Sequence, residues 1–258
     1  MTDIDGRFRL DGRNAIVTGA SSGLGRHFAM TLARAGARVA LAARRGDRLA
    51  AVAAEIAAFD GRAIPVQLDV TDSDSVRTAV AAAATELGPI TVLINNSGVA
   101  VTKSALDYEE ADWDHVVDTN LKGAWLVAQE VARHMAEHGH GGSIINIASI
   151  LGFRVAKNLI AYAASKAGLV QVTKALALEL AEKNIRVNAI APGYFETEIN
   201  RDFFTSEAGR KMIKRIPQRR IGQLEELDGV LLLLASDASR FMTGTVIPVD
   251  GGHSINSV

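Results

Sequence analysis

Seven short apolar or β-branched runs alternate with six alanine-rich segments of helical period, and most of the runs are apolar throughout rather than at every second residue. Together these observations predict an α/β fold: a mostly parallel, doubly wound, seven-stranded sheet with helices on both faces. Helical crossovers then connect one parallel strand to the next.

The elements are expected in this order. A first strand at 14–17 (NAIV) runs through a glycine turn into a helix at 24–35, and a second strand at 38–42 (RVALA) is followed by a helix at 48–59. The third strand, at 63–67, leads to a helix at 73–86; the alanine richness of residues 50–84 reflects high helix propensity. The fourth strand, at 92–95, precedes a long helix at 110–138, and the fifth, at 142–147, precedes another at 161–183. The sixth lies at 185–190, a helix at 224–236, and the seventh strand at 245–248. Residues 194–223 break the rhythm, with Phe203, Phe204, Met212 and Ile213 mixed among arginine and lysine. A loop this long in a compact domain reads as a substrate-covering segment, the plainer alternative being a pair of surface helices.

The 258 residues, 48% hydrophobic and 22% charged, suit one large domain over 1–258 with a deep core, and exclude a disordered or collagen-like chain. A net charge of -1 argues against nucleic acid or an anionic membrane as partner. There is no cysteine, so disulfides, thiolate nucleophiles and cysteine zinc sites are excluded. The first residues, MTDIDGRFRLDGRNAIV, do not read as a signal peptide, and no run reaches the ~18 apolar residues of a spanning helix. A cytoplasmic location is expected.

Residues 15–25 read AIVTGASSGLG, placing Gly19, Gly23 and Gly25 between a strand and a helix. Glycine permits the tight turn and lets backbone N–H groups approach a pyrophosphate at the helix N-terminus. In this context the pattern predicts dinucleotide binding, with Ser21, Ser22 and Leu24 in the same turn. An acidic residue about 20 residues beyond the glycines would mark an NAD site. Here the second strand ends at Ala43, followed by Arg44 and Arg45, two guanidiniums able to clamp a 2′-phosphate. NADP(H) is therefore favoured over NAD(H).

Downstream stand NNSG (Asn95, Asn96, Ser97, Gly98), Asn120 in TNLKG, Ser149 after SIINIA, and Tyr162 with Lys166 in YAASK. Tyrosine and lysine four apart share one helix face, where a cation can stabilise a phenolate that otherwise titrates near ~10. No metal-ligand cluster such as H-E-x-x-H is present, and His134, His138 and His140 read as helix-terminal or solvated histidines.

The glycine turn TGASSGLG, NNSG, the serine 13 residues before YAASK, PGYFET at 192–197 and the ending GTVIPVDGG together resemble the classical short-chain dehydrogenase/reductase family, over about residues 10–252. The family's usual NNAG is NNSG here. The resemblance implies a Rossmann-type fold and specific roles. Tyr162 is the general acid-base, Lys166 lowers its pKa and bonds the nicotinamide ribose, Ser149 holds the substrate oxygen, and the Asn120 carbonyl anchors a water leading to solvent. Asp69 and Val70 match the adenine-contacting pair, Asn95 to Gly98 the adenosine-ribose lining, and Phe195 and Thr197, within the motif begun by Pro192 and Gly193, the carboxamide contacts.

The expected activity is NADP(H)-dependent interconversion of a ketone and a secondary alcohol, closest to the 3-oxoacyl-thioester reductase and sugar or polyol dehydrogenase branches. An NAD-dependent alcohol or sugar dehydrogenase is the alternative, and a non-catalytic nucleotide-sensing scaffold is disfavoured by the intact residue set. Ile150, Leu151, Gly152, Leu159 and Tyr194 are expected to line a mostly apolar pocket for a small-molecule substrate. Paired long helices imply a homotetramer, or failing that a homodimer.

Overall fold

The computed structural model describes residues 5–196 and 201–255. Seven strands form one sheet: β1 (Asn14–Thr18), β2 (Arg38–Ala43), β3 (Arg62–Gln67), β4 (Val92–Asn95), β5 (Gly142–Ile147), β6 (Ile185–Pro192) and β7 (Val246–Val249). Their order is β3-β2-β1-β4-β5-β6-β7 and every pairing is parallel. The helices are α1 (Gly23–Arg34), α2 (Gly46–Ala57), α3 (Ser73–Leu87), α4 (Glu110–Val117), α5 (Gly123–His138), α6 (Ile160–Leu180), α7 (Arg201–Thr205), α8 (Glu207–Ile213) and α9 (Asp228–Ala235).

Strands apolar at every position are explained by a core on each face. Ala15 and Val17 of β1, with Val39 and Leu41 of β2, pack on Phe28 and Leu32 of α1 and Leu231 and Leu234 of α9. The alternate residues, Ile16, Ala40 and Ala42, pack on Val76 and Val80 of α3 and Val127 and Val131 of α5. Successive side chains of a strand point to opposite faces, so neither face tolerates a charge. Pro65 lies in β3, an edge strand, where its missing N–H leaves few ladder bonds unmade.

The long helix expected at 110–138 is interrupted. Between α4 and α5 runs a single π-turn, Asp118–Lys122, in which the Gly123 N–H donates to Asp118 O five residues back. A Cβ at Gly123 would sit 2.9 Å from the Val70 side chain, so tight packing against the end of β3 accompanies the irregularity. The helix expected at 161–183 ends at Leu180, and a 3-10 turn, Ala181–Lys183, carries the chain to Asn184 at φ 58. The expected 224–236 helix begins as a 3-10 turn, Leu224–Leu227, before α9.

Segment 194–223 holds α7 and α8 rather than irregular chain. Phe204 and Ile216 are buried beneath it while Phe203 is exposed. Its ends are tied together by a parallel bridge between Phe195 and Gly222 and by the Gly222 N–H donating to Tyr194 O at 2.9 Å. A side chain at 222 would collide with the Phe195 ring, its Cβ 2.4 Å from Cε1.

The chain winds from β1 to β2 on one side and later to β4 on the other, which opens a crevice beyond the carboxyl ends of these strands. Thr18, Ala43, Asn95, Ile147 and Pro192 all end their strands there.

Candidate active site

The glycine turn leaves β1 with Gly19 at φ +67 and Gly23 at φ +54, left-handed conformations that favour glycine. A Cβ at Gly25 would lie 2.3 Å from Gly19 O, so turn and helix touch backbone to backbone. Ser22, the N-cap of α1, makes no side-chain capping bond, and the first turn of the helix contains no acid. The first-turn N–H groups and the helix dipole are therefore available to an anion, as a pyrophosphate requires. Leu24 packs against the core beside this turn.

Arg44 and Arg45 are exposed at the end of β2, and Arg45 Nη2 donates to Ser21 Oγ at 2.9 Å, joining the arginine pair to the turn. One carboxylate, hidden from a reading confined to the second strand, does stand nearby. Asp69 is held well below the usual carboxylate range by the Thr71 N–H and hydroxyl, and the Arg44 charge adds to that effect. The Val70 side chain is buried in the core against Gly123.

Thr18, absent from the expected site, organises the NNSG loop. Its hydroxyl oxygen accepts the N–H groups of Asn96 and Ser97, each at 2.9 Å, and its carbonyl accepts Asn96 Nδ2 at 2.9 Å. Asn95 differs from its expected place in the ribose lining. Its buried side chain donates inward, to Ala124 O at 2.6 Å and Asn146 Oδ1 at 3.2 Å, which ties β4 to α5 and β5. Gly98 faces Lys166, whose Nζ would be 3.6 Å from a Cβ built there.

Ser149 follows β5, and its Oγ accepts the Leu151 N–H at 3.1 Å. Tyr162 and Lys166 occupy successive turns at the start of α6, and the Ser149 hydroxyl lies close enough to the Tyr162 phenol to lower its pKa. Lys166 is buried, with Nζ donating to Ile147 O at 2.7 Å and lying 5.7 Å from the centre of the Tyr162 ring. Burial pushes the ammonium down to about 8. Burial raises the phenol, and the Ser149 hydroxyl partly offsets that rise.

Asn120 sits in the π-turn, fully buried. Its Oδ1 accepts the Val99 N–H and its Nδ2 donates to Val99 O, both at 2.8 Å, and Nδ2 also reaches Ser165 Oγ at 3.2 Å. Ser165 in turn donates to Tyr162 O at 2.8 Å, so the asparagine braces the tyrosine's own turn. Short π insertions concentrate at functional positions, and this one places Asn120 between the NNSG loop and α6.

Ile150 and Leu151, directly after Ser149, line a cleft of about 730 Å³ together with the apolar Val155, Ala156, Tyr194 and Met212. The lining is mostly apolar, as expected, and the remaining walls carry Arg154, Lys157, Arg215 and His253. Gly152 lines a neighbouring surface pocket of about 480 Å³ instead, and Leu159 lines neither. Arg154 and Lys157 come from the loop after the 3-10 turn Ile150–Gly152, Arg215 from the loop beyond α8 and His253 from the C-terminal turn, a convergence that no local motif announces. Pro192 ends β6; Gly193 follows, where a Cβ would lie 2.7 Å from that of Asp250; Phe195 is buried. Thr197 lies outside the described residues.

Among the described residues no group of three or more His, Asp or Glu is placed to hold a metal. The His134 Nε2 instead accepts the Ile90 N–H at 3.1 Å. Among the same residues no helix is long and apolar enough to cross a membrane.

A family profile described as enoyl-(acyl carrier protein) reductase matches residues 19–254. The chain belongs to the short-chain dehydrogenase/reductase family. It is similar to the 3-oxoacyl-(acyl-carrier-protein) reductase of Thermotoga maritima, 39% identical over 244 residues, 95% of this chain and 98% of the relative. A short-chain dehydrogenase/reductase of Mycobacterium marinum superposes with a TM-score of 0.91 at 42% identity, covering 96% of this chain and 97% of that one. A gluconate 5-dehydrogenase of Burkholderia cenocepacia, solved with NADP and tartrate, superposes with a TM-score of 0.94 at 37% identity, covering 98% and 99%. The chain is thus an oxidoreductase of the short-chain type, its relatives being dehydrogenases and reductases of CH–OH and C=O groups.

Proposed function

We propose that this short-chain dehydrogenase/reductase is NADP(H)-dependent and interconverts a ketone and a secondary alcohol. One observation carries the reading: the Tyr162 phenol lies close enough to Ser149 and Tyr194 to feel both, one helical turn from buried Lys166, and Tyr194 lines the cleft. The glycine turn supports it, because the uncapped, acid-free start of α1 and the close approach at Gly25 suit a pyrophosphate. Arg44 and Arg45 would hold a 2′-phosphate by charge-assisted bonds, with Arg45 already anchored on Ser21.

When bound, the nicotinamide supplies the hydride that reaches the carbonyl carbon in reduction, or takes it up in oxidation. Ser149 donates a hydrogen bond to the carbonyl oxygen and Tyr162 delivers its proton there as negative charge builds. A phenol raised by burial stays protonated through neutral pH, the state a proton donor needs. Lys166, cationic below about 8, stabilises the phenolate left behind and presents Nζ beside Gly98, where a nicotinamide ribose would bind. Asn120 and Thr18 position these groups without touching the reacting atoms. Initial rates over a panel of ketones test the reading: reduction with NADPH, clearly faster than with NADH, is expected, and parity or an NADH preference would favour an NAD-dependent alcohol or sugar dehydrogenase.

A homotetramer belongs to the same proposal. Trp113 of α4, Trp125 of α5 and both Ile160 and Leu178 of α6 are exposed, more apolar surface than a lone protomer of this charge balance needs. Light scattering should return about four times 27.3 kDa, and a mass near 27.3 kDa at micromolar concentration would refute assembly.

A further inference from the structure

The cleft that Tyr194 lines has a charge character that the bare chemistry of ketone reduction does not call for. Its lining includes Arg154, Lys157 and Arg215, and among the described residues no aspartate or glutamate lines it. Arg154 is half-buried, and one of its nitrogens donates to the backbone oxygen of His253. That bond fixes the guanidinium plane, while its other N–H donors have no partner among the described residues. His253 adds a buried Nδ1 with no hydrogen-bond partner among the described residues, and its ring lies 5.4 Å from that of Tyr194, tilted by 35°. Asp250, whose charge acts on His253, spends its carboxylate on the N–H groups of Gly252 at 2.9 Å and Ser254 at 2.6 Å, closing the C-terminal turn.

We infer that Arg154, with Lys157, Arg215 and His253 around it, binds an anionic group, a carboxylate or a phosphate, carried by the substrate away from its carbonyl. The inference rests on the carbonyl-reductase reading and adds the substrate class: a negatively charged oxo compound. The layout supplies both ends of such a molecule. Ile150 and Leu151, directly after Ser149, and Tyr194, whose phenol acts on that of Tyr162, line the same cleft as Arg154, Lys157 and Arg215. A neutral acyl chain would press hydrocarbon against the guanidinium of Arg154, desolvating N–H donors that have no partner among the described residues. Arginine's planar fork matches carboxylate and phosphate alike with paired, charge-assisted bonds. Burial and then the charge of Arg154, with a smaller contribution from Arg215, hold His253 below the usual histidine range, as expected where these cations surround one ring. A volume of about 730 Å³ falls within the ~300–1,000 Å³ of small-molecule sites, so there is room for the anion and a short polar chain.

The test uses matched pairs, levulinate against its methyl ester and dihydroxyacetone phosphate against dihydroxyacetone, with the full-length enzyme and NADPH. Binding is read as the rise in Tm, and turnover as kcat/KM. The charged member of at least one pair should be favoured by about ten- to a hundredfold, and which pair responds identifies the anion. In Arg154→Met the charged-to-neutral ratio should collapse at least about tenfold through KM, with Arg154→Lys recovering part of it. If Arg154→Met does not fold, Lys157→Met, at an exposed position, should lower the same ratio more modestly. Equal binding of charged and neutral members in both pairs overturns the inference, as does an unchanged ratio in a folded Arg154→Met. Because binding is read without turnover, a charge preference in an enzyme that reduces no ketone would strike the reductase reading alone.

Discussion

Replacing Thr18 by Val removes one oxygen while keeping the shape of a fully buried side chain, and the site should feel it twice. The Thr18 hydroxyl accepts two backbone N–H groups, those of Asn96 and Ser97, both at 2.9 Å. Leaving a buried donor unsatisfied costs about 1–3 kcal/mol, and these two are only partly buried, so the low end applies and the pair should cost about 2–3 kcal/mol. For a chain of this size each kcal/mol lowers Tm by roughly 2–4 °C, so the expected drop is about 4–12 °C. The freed loop carries Gly98, which faces Lys166 Nζ, so NADPH affinity should weaken as well, by roughly tenfold if one fixed contact is lost. Thr18→Ser keeps the acceptor and should behave nearly as wild type. Thermal unfolding and NADPH titration by fluorescence quenching measure both effects. A Thr18→Val protein with wild-type Tm and NADPH affinity would show that the loop is held by something other than this hydroxyl.

Three further outcomes are expected. Ala43→Asp combined with Arg44→Leu should shift the kcat/KM ratio from NADPH towards NADH, because repulsion of the 2′-phosphate and a new acceptor for the ribose act together; an unchanged ratio would mean that both arginines are solvated surface charges. Lys166 is cationic below about 8, so kcat/KM for ketone reduction should be level through neutral pH and fall as pH rises above that value, whereas a profile rising there would reverse the assigned protonation states. His134 titrates below the usual histidine value because burial, and then His138, disfavour its charged form; its Nε2 must stay unprotonated to accept the Ile90 N–H. The unfolded chain then takes up this proton first, so stability is fully present above ~6.5 and is lost as pH falls through the lower folded value. Denaturant titrations of the wild type and His134→Gln across that window should show the pH dependence shrinking in the variant, and equal slopes would remove the histidine from the account.

The sheet was legible because its strands are buried on both faces: RVALA and VLIN admit no polar alternation, and helices must cover both sides. The glycine turn and the Tyr162–Lys166 pair were legible because their chemistry is local, set by spacing within one turn or one helix face. The π-turn at Asp118–Lys122 was not, since its 3.6-residue pattern continues across the insertion and the packing of Gly123 on Val70 is a tertiary event. Thr18 reads as one more strand residue until the NNSG loop is folded over it. The charge of the cleft escaped for the same reason. Arg154, Arg215 and His253 are far apart in sequence, and only the return of the C-terminal turn beneath segment 194–223 unites them. The Asp69–Arg44 proximity likewise depends on β2 and β3 lying side by side.

The central claim, that Tyr162 is the proton donor of an NADP(H)-dependent carbonyl reduction, is tested most directly by Tyr162→Phe. The variant removes the phenolic oxygen beside Ser149 while leaving the glycine turn, Arg44, Arg45 and the Lys166–Ile147 contact in place. Reduction rates with NADPH and the best ketone of the panel should fall by about 100- to 10,000-fold, with NADPH binding by fluorescence titration little changed. Wild-type turnover in the folded, NADPH-binding variant would contradict the account.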